Sequence, residues 1–169
     1  MKNLTRLPDG VQGIIMVGEN SHDLFQQKFL LVQDRNDRGR GDGILMCGLP
    51  GGGVNENEHH SIAINREVCL EEVGIKLDFV YFGCYTKIRP NGFNYNHLYI
   101  AQICNLPSIL KTNDPLEVSE IKIKTLSQII EMAEQKLIHE GSIRLKLKFL
   151  NRIRTGSLNK PVYWNGYTF

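Results

Sequence analysis

The sequence has no long apolar run: its longest stretches, such as Gly13 to Val17 and Phe29 to Val32, fall far short of the ~20 residues needed to cross a bilayer. No membrane span is expected. Residues 1–10 hold one Lys and one Arg but no apolar core and no small-residue cleavage site. They do not read as a secretory signal, and a cytoplasmic location is the default. There is no CxxC pair among Cys47, Cys69, Cys84 and Cys104, which argues against a zinc site and a redox motif and for reduced, buried thiols. An excess of one charge is also missing. A formal net charge of +2 gives no reason to expect nucleic-acid binding. Basic residues do gather late, at Arg144, Lys146, Lys148, Arg152 and Arg154, but such a cluster reads as a solvated helix face.

What is present is the composition of one ordinary domain spanning residues 1–169, with 41% hydrophobic residues to fill a core. Val11 to Val17 and Lys28 to Gln33 are apolar segments on either side of the polar Gly18 to Asp23, and they read as a hairpin of two strands. Asp34 to Gly43 is rich in Arg, Asp, Asn and Gly and reads as a solvated surface loop. A short strand, Ile44 to Cys47, leads into Gly48-Leu-Pro-Gly-Gly-Gly-Val54, where consecutive glycines allow close backbone approach. A helix capped by Asn57 or Ser61 is expected to run to Val73, with Ala63, Ile64 and Val68 inward. Gly74 ends it in the left-handed conformation that satisfies terminal carbonyls.

Ile75 to Thr86 and His97 to Ile103 look like antiparallel strands, and the loop between them holds Arg89-Pro-Asn-Gly, Phe93 and Tyr95. Val118 to Lys124 reads as a further strand and Leu126 to Leu137 as a helix. Ser142 to Arg154 fits both periods and is assigned helix on its length. The tail over 155–169 carries Tyr163, Trp164, Tyr167 and Phe169, too aromatic to dangle in water. It is expected to pack on its own domain or on a second subunit, which leaves a homodimer open. Elements in this order imply an α/β layer architecture.

The chemistry-bearing stretch is Gly52-x5-Glu58-x7-Arg66-Glu67-Val68, continued after Cys69 and Leu70 by Glu71-Glu72-Val73-Gly74-Ile75. Glu67 and Glu71 are four apart and share a helix face, although like charges at that spacing cost about 0.2–0.5 kcal/mol. Hard cations such as Mg²⁺ favour such carboxylates together with substrate phosphates. The bland alternative is that these glutamates are merely the wet side of an amphipathic helix. His59, His60 and His97 have no partner at metal-type spacing and read as structural.

The pattern over residues 52–75 resembles the Nudix box. That resemblance implies an α/β/α sandwich with a mixed sheet, and Mg²⁺- or Mn²⁺-dependent attack of water on a nucleoside diphosphate linked to another group. It implies Glu67, Glu71 and Glu72 as metal ligands, with the main-chain carbonyl of Gly51 in addition. Arg66 would orient the catalytic carboxylates Glu67 and Glu71, Glu58 would anchor the loop, and Gly52 and Gly53 would lie against substrate. Glu117 and Glu120 lie where relatives carry an additional acid, although ordinary surface glutamates are the simpler reading. Pro90, fifteen residues past Ile75, resembles a marker of ADP-ribose-cleaving relatives, and so ADP-ribose or a nucleotide sugar is the first substrate to consider. The rivals are a catalytically impaired nucleotide-binding module and a nucleoside triphosphate or RNA 5′-end pyrophosphohydrolase. The chain departs from the box at one point: three residues, Val68-Cys69-Leu70, stand where the pattern has two. A straight helix would rotate Glu72 about 140° away from Glu67. A one-turn π-bulge would keep both glutamates in phase, and is the expected solution.

Overall fold

The computed structural model describes residues 5–19, 21–89, 91–107, 110–139 and 162–164, the last by backbone alone. The expected helix over 142–154, the late basic cluster and Pro90 lie outside the described residues.

Seven strands form one mixed sheet among the described residues. They are β1 (Gly10–Val17), β2 (Lys28–Asp34), β3 (Cys47–Gly48), β4 (Val80–Arg89), β5 (Gly92–Ile103), β6 (Val118–Thr125) and β7 (Val162–Trp164). The first helix, α1 (His60–Ile64), runs directly into a π-helical segment, Asn65–Glu72, and α2 spans Leu126–Glu134. The strand order is β3-β2-β1-β5-β4-β7, with β6 also paired to β2.

The two faces of the sheet bury different sets of side chains, because alternate residues of a strand point to opposite faces. Ile14, Met16, Phe29, Leu31 and Leu98 pack with Leu126 and Ile129 of α2. Val11, Ile15, Val17 and Leu30 pack instead with Ala63, Ile64 and Val68. Helices therefore cover both faces, and the molecule is an α/β/α sandwich. Among the described residues no helix is long and apolar enough to cross a membrane.

Several elements depart from the sequence expectation. The first two strands meet only at Met16–Phe29 and Val17–Lys28, whereas β1 pairs with β5 in parallel along its whole length, from Gly10–Asn96 to Val17–Ile103. The expected strand over Ile44 to Cys47 shrinks to Cys47–Gly48. Side chains take its carbonyls instead: Gln33 donates to Leu45 O at 3.1 Å and Arg40 donates to Ile44 O. The strand expected from Ile75 begins only at Val80, and Phe93 and Tyr95 belong to β5, not to a loop. The helix α2 is shorter than expected, ending at Glu134, and begins with a capping box between Thr125 and Gln128. Of the thiols, Cys47 and Cys69 are buried, but Cys104 is exposed. The aromatic tail does meet its own chain, since β7 pairs in parallel with β4.

The first helix is capped by neither Asn57 nor Ser61. The His59 side chain accepts from Ser61 N, while Asn57 takes a left-handed turn at φ 62°. The next residue, His60, stacks on His97 with centroids 3.9 Å apart and bonds Tyr99 Oη through Nδ1 at 2.6 Å. Burial, then the neighbouring His97 and His59, push the His60 imidazole down to about 4 from 6.5. A depressed histidine favours the fold only while neutral, so its contribution is complete above 6.5 and is lost as pH falls towards 4. The melting temperature, followed by circular dichroism across this range, is expected to drop. His60→Phe keeps a ring for the stack but binds no proton, and should flatten the drop. A profile parallel to that of the unmodified chain would assign the acid sensitivity elsewhere.

Candidate active site

The site begins at the glycine-rich loop that follows β3. Its backbone docks on the first strand: Gly13 N donates to Pro50 O at 2.8 Å, Val11 N to Gly52 O at 3.0 Å, and Val54 N to Asp9 O at 2.9 Å. Gly51 adopts φ 146°, and a Cβ there would overlap the Val11 carbonyl. At Gly52 a Cβ would occupy the place of the Glu67 carboxylate. Two glycines are thus needed to press the loop between β1 and the glutamate-bearing turn.

Arg66 ties these parts together. Its Nε and Nη2 grip both oxygens of Glu58, at 2.9 and 2.8 Å, and Nη2 also donates to Gly53 O at 2.8 Å. The remaining nitrogen, Nη1, donates to Glu67 at 2.7 Å and Glu71 at 3.2 Å. Glu58 in turn accepts from Asn55 N at 2.9 Å. The Arg66 contact and this backbone bond hold the Glu58 acid down at about 2. Charge-assisted hydrogen bonds are the stronger kind, so the fork opposes the like-charge repulsion between Glu67 and Glu71. Arg66 thus touches Glu58, Glu67 and Glu71 at once, and Glu58 is tied to the Asn55 amide.

The extra residue is absorbed as expected, by a π-helical segment over Asn65–Glu72 whose i to i+5 ladder closes with Val73 N donating to Val68 O at 2.8 Å. That ladder brings Glu72 back over Glu67. Leu70 turns outward, 67% exposed, and Gly74 follows at φ 70° as the left-handed stop. Glu72 then reaches the loop and accepts from Gly51 N at 2.6 Å. Burial dominates its environment and, despite that bond, pushes the Glu72 acid up to about 8, with Glu67 and Glu117 adding to the rise. Burial also raises Glu67, against the pull of Arg66.

Among the described residues, no three carboxylate, histidine or thiol side chains stand ready to close around one ion. The donor chemistry nevertheless suits a hard divalent cation. Glu67 and Glu72 are oxygen donors whose charged forms burial disfavours in the absence of a cation, although Glu67 also meets Arg66, and Glu71, 45% exposed, meets Arg66 at 3.2 Å. Glu117 is near enough to act on Glu72. Glu120 lies opposite Gln33 on the sheet and pairs with Lys122 at 3.5 Å, so it is not gathered with the box glutamates.

Glu72 opens into a cavity of about 330 Å³ whose other walls include Gln12, Asp34, Arg38, Gly51, Tyr85, Lys87 and His139. Gly52 and Gly53 do not line it; their close approach serves Glu67 and Arg66. Arg38 belongs to a segment whose composition fits a solvated loop, and neither Lys87 nor His139 stands in a motif. The composition of the Asp34 to Gly43 segment was the only available signal. Asp37 there accepts from the backbone of Gly39, Gly41 and Gly43, and buried Asp34 holds Arg38 at 2.8 Å and His139 at 2.9 Å.

A family model of the NUDIX domain matches residues 11–145. The chain belongs to the Nudix family. None of the curated proteins compared with it matches in sequence, but solved structures share its fold. The Nudix domain described here is similar to a MutT protein from Methanosarcina mazei Go1, with 19% identity, TM-score 0.63, and coverage of 87% of this chain and 94% of that one. It is similar to the NUDIX domain of Shewanella oneidensis NrtR complexed with ADP ribose, with 18% identity, TM-score 0.61, and 90% of each chain covered. It is also similar to a bifunctional NMN adenylyltransferase/ADP ribose pyrophosphatase complexed with AMP and Mn ion from Francisella tularensis. There the identity is 18% and the TM-score 0.61, with 90% of this chain and 43% of that one covered.

Because the π turn already keeps Glu71, Glu72 and Gly74 in phase, deleting Leu70 from this Nudix box should convert the turn to α-helix and leave the carboxylates in place. The expected outcome is a melting temperature within a few degrees of the parent and hydrolysis within about tenfold, or ~1.4 kcal/mol. Loss of folding on this deletion would show that the π turn does more than absorb a residue.

Proposed function

We propose that the chain hydrolyses a nucleoside diphosphate linked to another group, with ADP-ribose or a nucleotide sugar as the leading substrate. The observation that carries this is the position of Glu72, half-buried between the glycine loop and the 330 Å³ cavity, a size within the roughly 300–1,000 Å³ of small-molecule pockets. ADP ribose in the similar Shewanella structure supports the choice of substrate. Phe93 and Tyr95 are not part of the argument for it: both lie on β5, and Tyr95 packs under Arg6.

In this reading Glu67, Glu71 and Glu72, with the carbonyl of Gly51, hold Mg²⁺ or Mn²⁺. When bound, such a cation neutralises charge on the phosphates and acidifies attacking water. Arg66 keeps Glu67 and Glu71 turned towards the loop, and Gly51 N fixes one oxygen of Glu72. Glu117 is the better placed of the two additional acids to assist. The in-phase π turn favours a working site over an impaired binding module.

Hydrolysis is expected to stop in excess chelator and return with Mg²⁺ or Mn²⁺. Glu67→Gln and Glu71→Gln should each remove most activity, and Glu72→Gln should lower it at least about tenfold, ~1.4 kcal/mol of transition-state stabilisation, while circular dichroism reports a folded chain. The panel to assay is ADP-ribose, nucleotide sugars, dinucleoside polyphosphates, nucleoside triphosphates and capped RNA. Full turnover in chelator would sink the metal assignment, and a clear preference for triphosphates would reverse the substrate ranking.

A further inference from the structure

The wall of the cavity away from the glutamates is built for an anion. We infer that Lys87 and Arg38, which both line the cavity, hold the phosphate on the far side of the substrate. This deepens the reading proposed above and rests on it for the identity of the site.

Lys87 extends from β4 into the cavity, half-buried, and no carboxylate pairs with it among the described residues. Its surroundings disfavour the ammonium: burial lowers its affinity for a proton, and Arg89 and Arg38 lower it further. A half-buried cation facing a second cation is unfavourable unless an anion joins them. Arg38 is placed deliberately, with φ 49°, its backbone N–H bonded to Asn36 Oδ1 at 2.9 Å and its guanidinium held by Asp34 at 2.8 Å.

The strand beside Lys87 adds an independent sign. Asn94 lies directly opposite Lys87 in the ladder, and Asn96 directly opposite Tyr85, so all four share one face of the sheet. Both asparagines are more than nine-tenths buried, yet Asn94 Oδ1 and Asn96 Nδ2 have no hydrogen-bond partner. An orphaned buried acceptor or donor costs about 1–3 kcal/mol. One atom asks for a donor and the other for an acceptor. Neither asparagine lines the cavity, so these amides make the sheet beside Lys87 polar without meeting a ligand themselves.

The test uses the full chain in chelator, with ribose 5-phosphate, inorganic phosphate and ribose as probes, and binding followed by calorimetry or ligand-observed NMR. Both ribose 5-phosphate and inorganic phosphate should bind, and ribose should not bind measurably. Lys87→Met should weaken ribose 5-phosphate at least about tenfold, with Lys87→Arg restoring most of it, and Arg38→Met should weaken it similarly. Lys111→Met, which removes an exposed charge elsewhere, should change nothing. Thermal melts check that each variant folds. Unchanged binding in Lys87→Met, or no binding of either phosphate probe by the unmodified chain, overturns the inference. Hydrolysis of ADP-ribose with Mg²⁺ is scored separately. Its absence alongside Lys87-dependent phosphate binding would refute the proposed reaction and leave this wall standing; its presence with Lys87-independent binding would do the reverse.

Discussion

A single guanidinium holds together the part of the molecule where the chemistry is placed. Arg66 reaches Glu58, Glu67, Glu71 and the Gly53 carbonyl at once, joining the start of the helical region, its π turn and the glycine loop. Without it, three carboxylates and a tightly bent loop would repel or drift. The planar fork suits the task because its five donors have fixed directions. The contact with Glu58 is bidentate, the geometry in which arginine and carboxylate bind most strongly.

The backbone around that fork is shaped by two demands that pull apart. The glycine loop must lie flat on the first strand, which the Val11 and Gly13 amides enforce. The glutamates must rise to it from one helical face despite an inserted residue. Opening the ladder from i+4 to i+5 over Asn65–Glu72 meets the second demand without disturbing the first. The inserted stretch keeps its apolar side chains sorted: Val68 and Cys69 stay buried while Leu70 is pushed outward.

Charge is then divided across the cavity. Glu72 stands at one wall; Arg38, Lys87 and the Asp34–His139 pair stand on the others. These groups come from the end of β2, the loop after it, β4 and the chain after α2. A net charge of +2 averages over all of them, which is why bulk composition gave no hint of a cationic wall. The pairing of β1 with β5 in parallel brings Gln12 beside the β4–β5 hairpin. Tyr85 Oη donates to Gln12 Oε1 at 3.0 Å and closes the floor.

The sequence by itself determined what is local. The placement of Glu67, Glu71 and Glu72 on one helical stretch, the left-handed stop at Gly74, the strand over Val118 to Lys124 and the π solution to the extra residue all follow from spacings shorter than a few turns. Backbone geometry converts such spacings directly into faces and ends. The tertiary structure decided what depends on distant partners. The strand expected at Ile44 was lost because side chains of Gln33 and Arg40 claimed its carbonyls, and His60 came to rest on His97 across the fold. Phe93 and Tyr95 moved from a loop into a strand because β4 and β5 pair down to Arg89–Gly92. Arg38, Lys87 and His139 met at one cavity for the same reason. Which residues converge is set by strand order and register, and neither leaves a periodic trace in the chain.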